Sequence, residues 1–147
     1  MELISHYKIF HNKRFVVEYH EGVGTLEEVK TFKIKEANDP SYSPDFDLLM
    51  DIRKVTIKGI KNDVKEYIEF ANSHQGISGH RKLAVITNTP RQVIFFAFLN
   101  MFKMKLPQIM KIFSSVEAAL LWLGEPISLE DMDSCLNNLK DKAKSYL

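Results

Sequence analysis

A single cysteine, Cys135, excludes an internal disulfide and removes any reason to place the chain in an oxidising compartment. Surplus charge is equally scarce. Twenty Lys and Arg stand against nineteen Asp and Glu, a net of +1, which argues against a duplex nucleic-acid binder, since displacing phosphate counterions takes excess positive charge. The opening "MELISHYKIF" has no basic stretch followed by an apolar run, so no signal peptide is expected. The longest apolar segment is about half of the roughly 20 residues that a membrane crossing needs. These absences predict a cytoplasmic chain without a transmembrane segment. Metal-ligand spacing is missing too. The five histidines (His6, His11, His20, His74, His80) form no H-x-x-x-H pair, and Cys135 has no partner at ligand distance. With no G-x-S-x-G, P-loop or G-x-G-x-x-G, no catalytic residue, metal or cofactor is assigned. Gly22 and Gly24 read as a tight turn before a helix.

What is present is the balance of one globular domain. Of 147 residues, 45% are hydrophobic and 27% charged, and a chain this size buries roughly two thirds of its unfolded surface. "HYKIF", "HNK" and "RFVVEYHEGV" predict a β-hairpin, with Phe15, Val17 and Tyr19 on one face and Val16, Glu18 and His20 on the other. Thr25 and Glu28 form a capping box that starts a helix, which "NDP" ends near Asn38. "FDLLMDI" and "KLAVIT" read as strands covered on both faces, with the amphipathic helix "KNDVKEYIEFANSHQG" between them. "TPRQVIFFAFLNMFKMKL" opens a helix with Thr89 as cap and Gln92 closing the box; "QIMKIFSS" is a further strand, and "SVEAALLWLG" a short helix capped by Ser114 or Ser115. Strands that alternate with helices imply crossover connections. The fold class is therefore α/β, a mostly parallel mixed sheet with an antiparallel edge hairpin.

Residues Tyr7 to Gly124, about four fifths of the chain, resemble the STAS-like (SpoIIAA-like) domains typified by bacterial anti-sigma-factor antagonists. "RFVVEYHEGVGTLEEVKTF" looks like the strand, loop and first helix of that family, and "DFDLLMDIRKVTIKG" like its central strand and following loop. "RKLAVITNTPRQVIFFAF" and "KIFSSVEAALLWLG" are similar to its closing strand–helix–strand–helix. The resemblance implies a STAS-like domain over 1–124, and a non-enzymatic module that binds a protein partner or ligand. Phospho-switching members carry Asp-Ser-Ser-Gly after the central strand. Here "TIKGIKND" has no serine, so that switch is not expected to carry over.

Two candidate surfaces follow. In open α/β sheets ligands gather beyond the carboxyl ends of the strands, which here offer Lys54, Lys58, Gly59, Lys61, Asn62, Thr87, Asn88, Thr89 and Arg91. Helix starts at Lys61 and Pro90 would add anion-attracting amides, although ordinary caps and solvated lysines explain the same residues. The second surface is "QVIFFAFLNMF", which is apolar nearly all round. Helical geometry places Val93, Ala97 and Met101 toward the sheet and Phe95, Phe98 and Phe102 on the opposite side. Exposing a phenylalanine forfeits about 1.5–3 kcal/mol, so these rings call for a cover. Beyond Gly124, residues 125–147 form an appended helix whose Leu129, Met132, Leu136, Leu139, Ala143 and Tyr146 step as an apolar seam. Three covers stay open: the tail docking on its own domain, a symmetric homodimer, or an apolar ligand such as a lipid in a pocket built from Phe95, Phe98, Met101, Phe102 and Met104. Some larger lipid-carrying proteins share this general topology, an analogy that bears on the third. The expectation is an interaction module that self-associates, with a lipid-binding or apolar-ligand protein as the alternative.

Overall fold

A computed structural model describes residues 2–58, 61–74, 76–101 and 106–145; the side chains of Lys61 and Asn62 lie outside that description. Five strands form one sheet in the order β1-β2-β3-β4-β5. β1 (Ile4–Phe10) and β2 (Phe15–Gly24) pair antiparallel, and β2, β3 (Asp47–Ile57), β4 (Lys82–Ile86) and β5 (Ile109–Phe113) run parallel. The hairpin is thus the antiparallel edge that the pattern predicts. Helices α1 (Leu26–Ala37), α2 (Lys61–Ser73) and α3 (Pro90–Met101) connect successive parallel strands, followed by α4 (Val116–Trp122) and α5 (Leu129–Lys144). Among the described residues no helix is long and apolar enough to cross a membrane.

Side-chain alternation along β2 divides the core in two. Phe15, Val17 and Tyr19 join Leu49, Ile86, Leu120 and α5 on one face of the sheet. Val16 joins Leu48, Ile52, Leu83 and the inner sides of α2 and α3 on the other. α5 therefore lies on the face away from α3. Its Met132, Leu136, Leu139 and Ala143 are at most 3% exposed, against β1, β2 and α4. Leu129, at 40%, stays outside this contact, and Tyr146 falls outside the described residues. The tail docks in cis and does not cover the phenylalanines of α3; its seam is spent on the opposite side of the sheet.

The inward face of α3 also differs from the one expected. Gln92, Phe96 and Leu99 are buried and Phe95 and Phe98 half-buried, whereas Val93 (41%), Ile94 (46%) and Met101 (72%) face outward and Ala97 is exposed. The cause lies in β3. Tyr19 pairs with Asp51 but Glu21 with Lys54, so β3 carries one extra residue there, a β-bulge. The carbonyls of Ile52, Arg53 and Val55 accept from the Gln92 amide at 3.0, 3.3 and 2.9 Å, while Gln92 Oε1 accepts from the N–H groups of Asn88 and Thr89. A buried carbonyl without a donor costs about 1–3 kcal/mol, so the bulge draws Gln92 inward and sets the rotation of the helix.

Gly22 and Gly24 belong to β2 rather than to a turn. Gly22 has φ +103°, and a Cβ there would stand 2.1 Å from the Glu2 carbonyl oxygen, so the close pass of the N-terminal backbone requires glycine.

Candidate functional site

Three helices on one face of a twisted sheet leave space where they do not meet it. Between α1, α2, α3 and the sheet lies a cleft of about 110 Å³. Its walls are apolar: Met50, Ile52 and Val55 of β3, Leu83 of β4, and Phe96 and Leu99 of α3. The bulge contributes directly. It shifts the alternation of β3 by one, so Ile52 and Val55 both turn to the cleft while Lys54, Thr56 and Lys58 are exposed. Asp63 and Thr25 line the end nearest the carboxyl termini of β2 and β3, and Gln108 and Lys33 the other end.

Beside the apolar walls sits a cluster of charged side chains that are almost fully buried. Glu18 is 0% exposed, Glu36 1%, Lys33 3%, and His20 and Arg81 6% each. Lys33 Nζ donates to Glu18 Oε2 at 2.5 Å and lies 3.6 Å from Glu36 Oε1. His20 is held between Ser5 Oγ, 2.6 Å from Nδ1, and Glu18 Oε1, 2.9 Å from Nε2. Arg81 donates to the Tyr42 hydroxyl at 2.5 Å, to Gln108 Oε1 at 3.4 Å and to the Ile77 carbonyl at 3.3 Å. Burial on its own would raise the Glu18 carboxyl, but the Lys33 ammonium and the His20 hydrogen bond hold it well below the usual carboxylate range. Burial would likewise lower Lys33, yet Glu18 and Glu36 outweigh it and push the ammonium upward. Glu36 goes the other way. Burial first, and the Glu18 carboxylate next, raise it well above an ordinary glutamate.

Of the strand-end residues singled out from the sequence, few come together. Lys54 lies within β3 and not in a loop, because β3 continues to Ile57 in its pairing with β2. Arg91 donates to the carbonyls of Ile57 and Lys58, which ties α3 to the end of β3. Thr87 is buried, its N–H bonded to the Phe113 carbonyl at 2.9 Å, and Asn88 and Thr89 are exposed. The Gln92 and Val93 amides of the first turn of α3 are engaged within the helix start. Thr89 Oγ1 accepts from Gln92 N, the Thr89 carbonyl from Val93 N, and Gln92 Oε1 from the N–H groups of Asn88 and Thr89 that precede the helix. Gly59, and the side chains of Lys61 and Asn62, lie outside the described residues.

Among the apolar candidates, Phe95 lines the cleft and Phe98 packs against the same core cluster. Met101 is 72% exposed and does not line the cleft, and Phe102 and Met104 fall outside the described residues. Cys135 packs into the α5 core, where burial pushes its thiol up to about 11 and leaves it protonated and inert near neutral pH. Sequence reasoning missed Lys33, Glu36 and Arg81. One signal was available: Glu18 and His20 share a face of a strand whose other face is Phe15, Val17 and Tyr19. A strand flanked on both sides buries that polar face as well, and it then needs partners.

No family model and no curated protein matches the sequence. Among solved structures the chain is similar to an uncharacterized protein of the DUF3478 family from Shewanella loihica PV-4, described as having a SpoIIAA-like fold. Identity is 18%, the match covers 83% of this chain and 94% of that one, and the TM-score is 0.54. The fold is SpoIIAA-like. The five-stranded sheet with one antiparallel pair, wrapped by helices, is the architecture that the resemblance to STAS-like domains implied.

Proposed function

We propose that this SpoIIAA-like protein is a non-catalytic binding module whose ligand is a small apolar or amphipathic molecule held in the cleft between α1–α3 and the sheet. The observation that carries this reading is the cleft itself, about 110 Å³ with Met50, Ile52, Val55, Leu83, Phe96 and Leu99 as walls. An apolar cavity of about 150 Å³ takes up benzene, so this space suits one ring or a short stretch of alkyl chain. A longer chain extends through the Thr25–Asp63 end. The alternation of charge burial and apolar wall is the usual make-up of a ligand site, a mostly greasy hollow with a few convergent polar groups. Native mass spectrometry of gently purified protein, followed by titration with a fluorescent fatty acid, tests it. Retained mass or saturable binding that Leu99→Trp abolishes supports the reading; repeatedly empty spectra with no binding sink it.

Self-association is the second reading, and it is favoured by the outward arc of α3, where Val93, Ile94 and Met101 are exposed side by side. The seam of α5 does not support it, being buried in cis. A mass that stays monomeric by light scattering across the concentration range would remove this second reading.

A further inference from the structure

β5 ends the sheet, with β4 on one side and no strand on the other. Its hydrogen-bond phase is fixed at both ends. The Ile109 N–H donates to the Arg81 carbonyl and the Thr87 N–H to the Phe113 carbonyl, each at 2.9 Å, and the parallel register runs unbroken between them. Ile109, Lys111 and Phe113 therefore give their backbone groups to β4, and those of Met110 and Ile112 point away from the sheet. Among the described residues the backbone groups of these two have no partner. Such a row is a template for one more strand, and an unused edge is blunted by charge, proline, a bulge or a cover. β5 holds no proline, its pairing with β4 has no bulge, and Lys111 is its one charge.

The two faces that border this edge differ, and together they define the strand that fits. On the α3 side stand Met110 and Ile112, packed with Phe96 and Leu99. α3 touches both α2 and β5. Its Phe95 lines the cleft with Tyr67 of α2, and at 3.6 residues per turn Val93 and Ala97 fall on the other flank, where both are exposed. That border is apolar. On the α4 side Ile109 is 60% exposed, and Lys111 and Lys82 hold their ammonium groups over the Trp122 ring, 5.7 and 5.3 Å from its centre. Neither lysine has a carboxylate within ion-pair distance among the described residues. This border is positive. A second copy of the chain suits it poorly, because two β5 strands paired antiparallel about their centres set Lys111 against Lys111. An acidic side chain is the complement.

We propose that β5 receives an extended peptide segment as a sixth strand, with apolar side chains toward Val93, Ala97 and Ile112 and acidic ones toward Lys111 and Lys82. The backbone of Met110 and Ile112 supplies the hydrogen bonds, and the lysines select the charge. This surface is separate from the cleft, none of whose walls belongs to β5, so either can fail without the other.

The probe is a seven-residue peptide that alternates valine with glutamate, blocked at both ends and titrated into the full chain at pH 7. Amide ¹H–¹⁵N shifts give affinity and place, and hydrogen exchange reports the edge amides. The glutamate peptide should slow exchange at Met110 and Ile112 and bind about tenfold tighter than its lysine-for-glutamate counterpart. The same peptide N-methylated at every residue, which removes its donors, should not bind. Equal or tighter binding of the lysine peptide overturns the acidic assignment. Binding that survives N-methylation, or shifts centred outside β5, overturns the added strand. No binding by any peptide overturns both. Edge amides already protected in a chain that light scattering shows to be a dimer assign the edge to a second copy, and overturn the proposal too. In Lys111→Glu, a change at an exposed position, the two charged peptides should exchange rank; an unchanged order contradicts the role given to the lysine.

Discussion

Replacing Lys33 by methionine removes an ammonium 2.5 Å from Glu18 Oε2 while keeping an unbranched apolar stem of similar length. At that distance, with an effective dielectric near 20, the lost attraction is about 7 kcal/mol, of which the avoided burial of the lysine returns several. Breaking a buried pair this way typically costs about 3–5 kcal/mol. Glu18, 0% exposed and left with His20 as its partner, can then relieve its charge by taking a proton. Protonating a carboxyl of ordinary affinity at pH 7 costs about 3.7 kcal/mol, which caps the loss. The pH dependence follows with a definite sign. In the natural chain Glu18 has a depressed folded pKa, so its contribution is present above the unfolded value near 4.3 and fades as pH falls. In Lys33→Met the same carboxyl is raised by burial, so the penalty grows as pH climbs. The gap between the two proteins is therefore widest at pH 7 and narrows toward pH 5. Urea denaturation measures it. With a slope of about 2 kcal/mol/M, the midpoint should drop by about 1.5 M at pH 7, and Glu18→Gln added to Lys33→Met should restore more than half of that. A Lys33→Met midpoint within about 0.3 M of the natural chain at pH 7, or a gap that does not change with pH, would refute the reasoning.

Three further outcomes follow from the same geometry. Glu36→Gln should raise stability at pH 7 and leave it unchanged near pH 4, because the raised folded pKa makes folding lose about 1.4 kcal/mol per pH unit above the unfolded value; identical pH slopes in variant and parent would contradict it. Gln92→Leu leaves the carbonyls of Ile52, Arg53 and Val55 without their donor and should cost about 2–4 kcal/mol in chemical denaturation; a loss below about 1 kcal/mol would show the bulge is satisfied otherwise. Leu139→Ala, at 2% exposure in the α5 core, should cost about 2–5 kcal/mol, and a neutral effect would mean that α5 does not dock as described.

Local signals carried most of the fold into view. Thr25, Ser115 and Ser128 each cap a helix by accepting the N–H three residues on, from Glu28, Ala118 and Asp131. The apolar stripe of α5 marks its buried side because a two-layer contact reads one face of a helix. What escaped was set by contacts distant in sequence. The rotation of α3 depends on a bulge about 40 residues earlier, through hydrogen bonds that no hydrophobic pattern records. β3 also runs past the bulge to Ile57 in its pairing with β2, so Lys54, which reads as a loop cation from the sequence, is a strand residue. The charge cluster unites β2, α1 and Arg81, and in the linear order each member resembles an ordinary surface residue. α1 has no clean apolar stripe, and its buried side includes Lys33 and Glu36 beside Phe32. That irregularity was the visible trace of a polar interior.

Xenon offers the most direct measurement of the cleft, since it enters dry apolar cavities and reveals its position by anomalous scattering. A crystal pressurised with the gas should show xenon between Val55, Leu83, Phe96 and Leu99. A space there that is closed, or filled by ordered water with no xenon, would contradict the account.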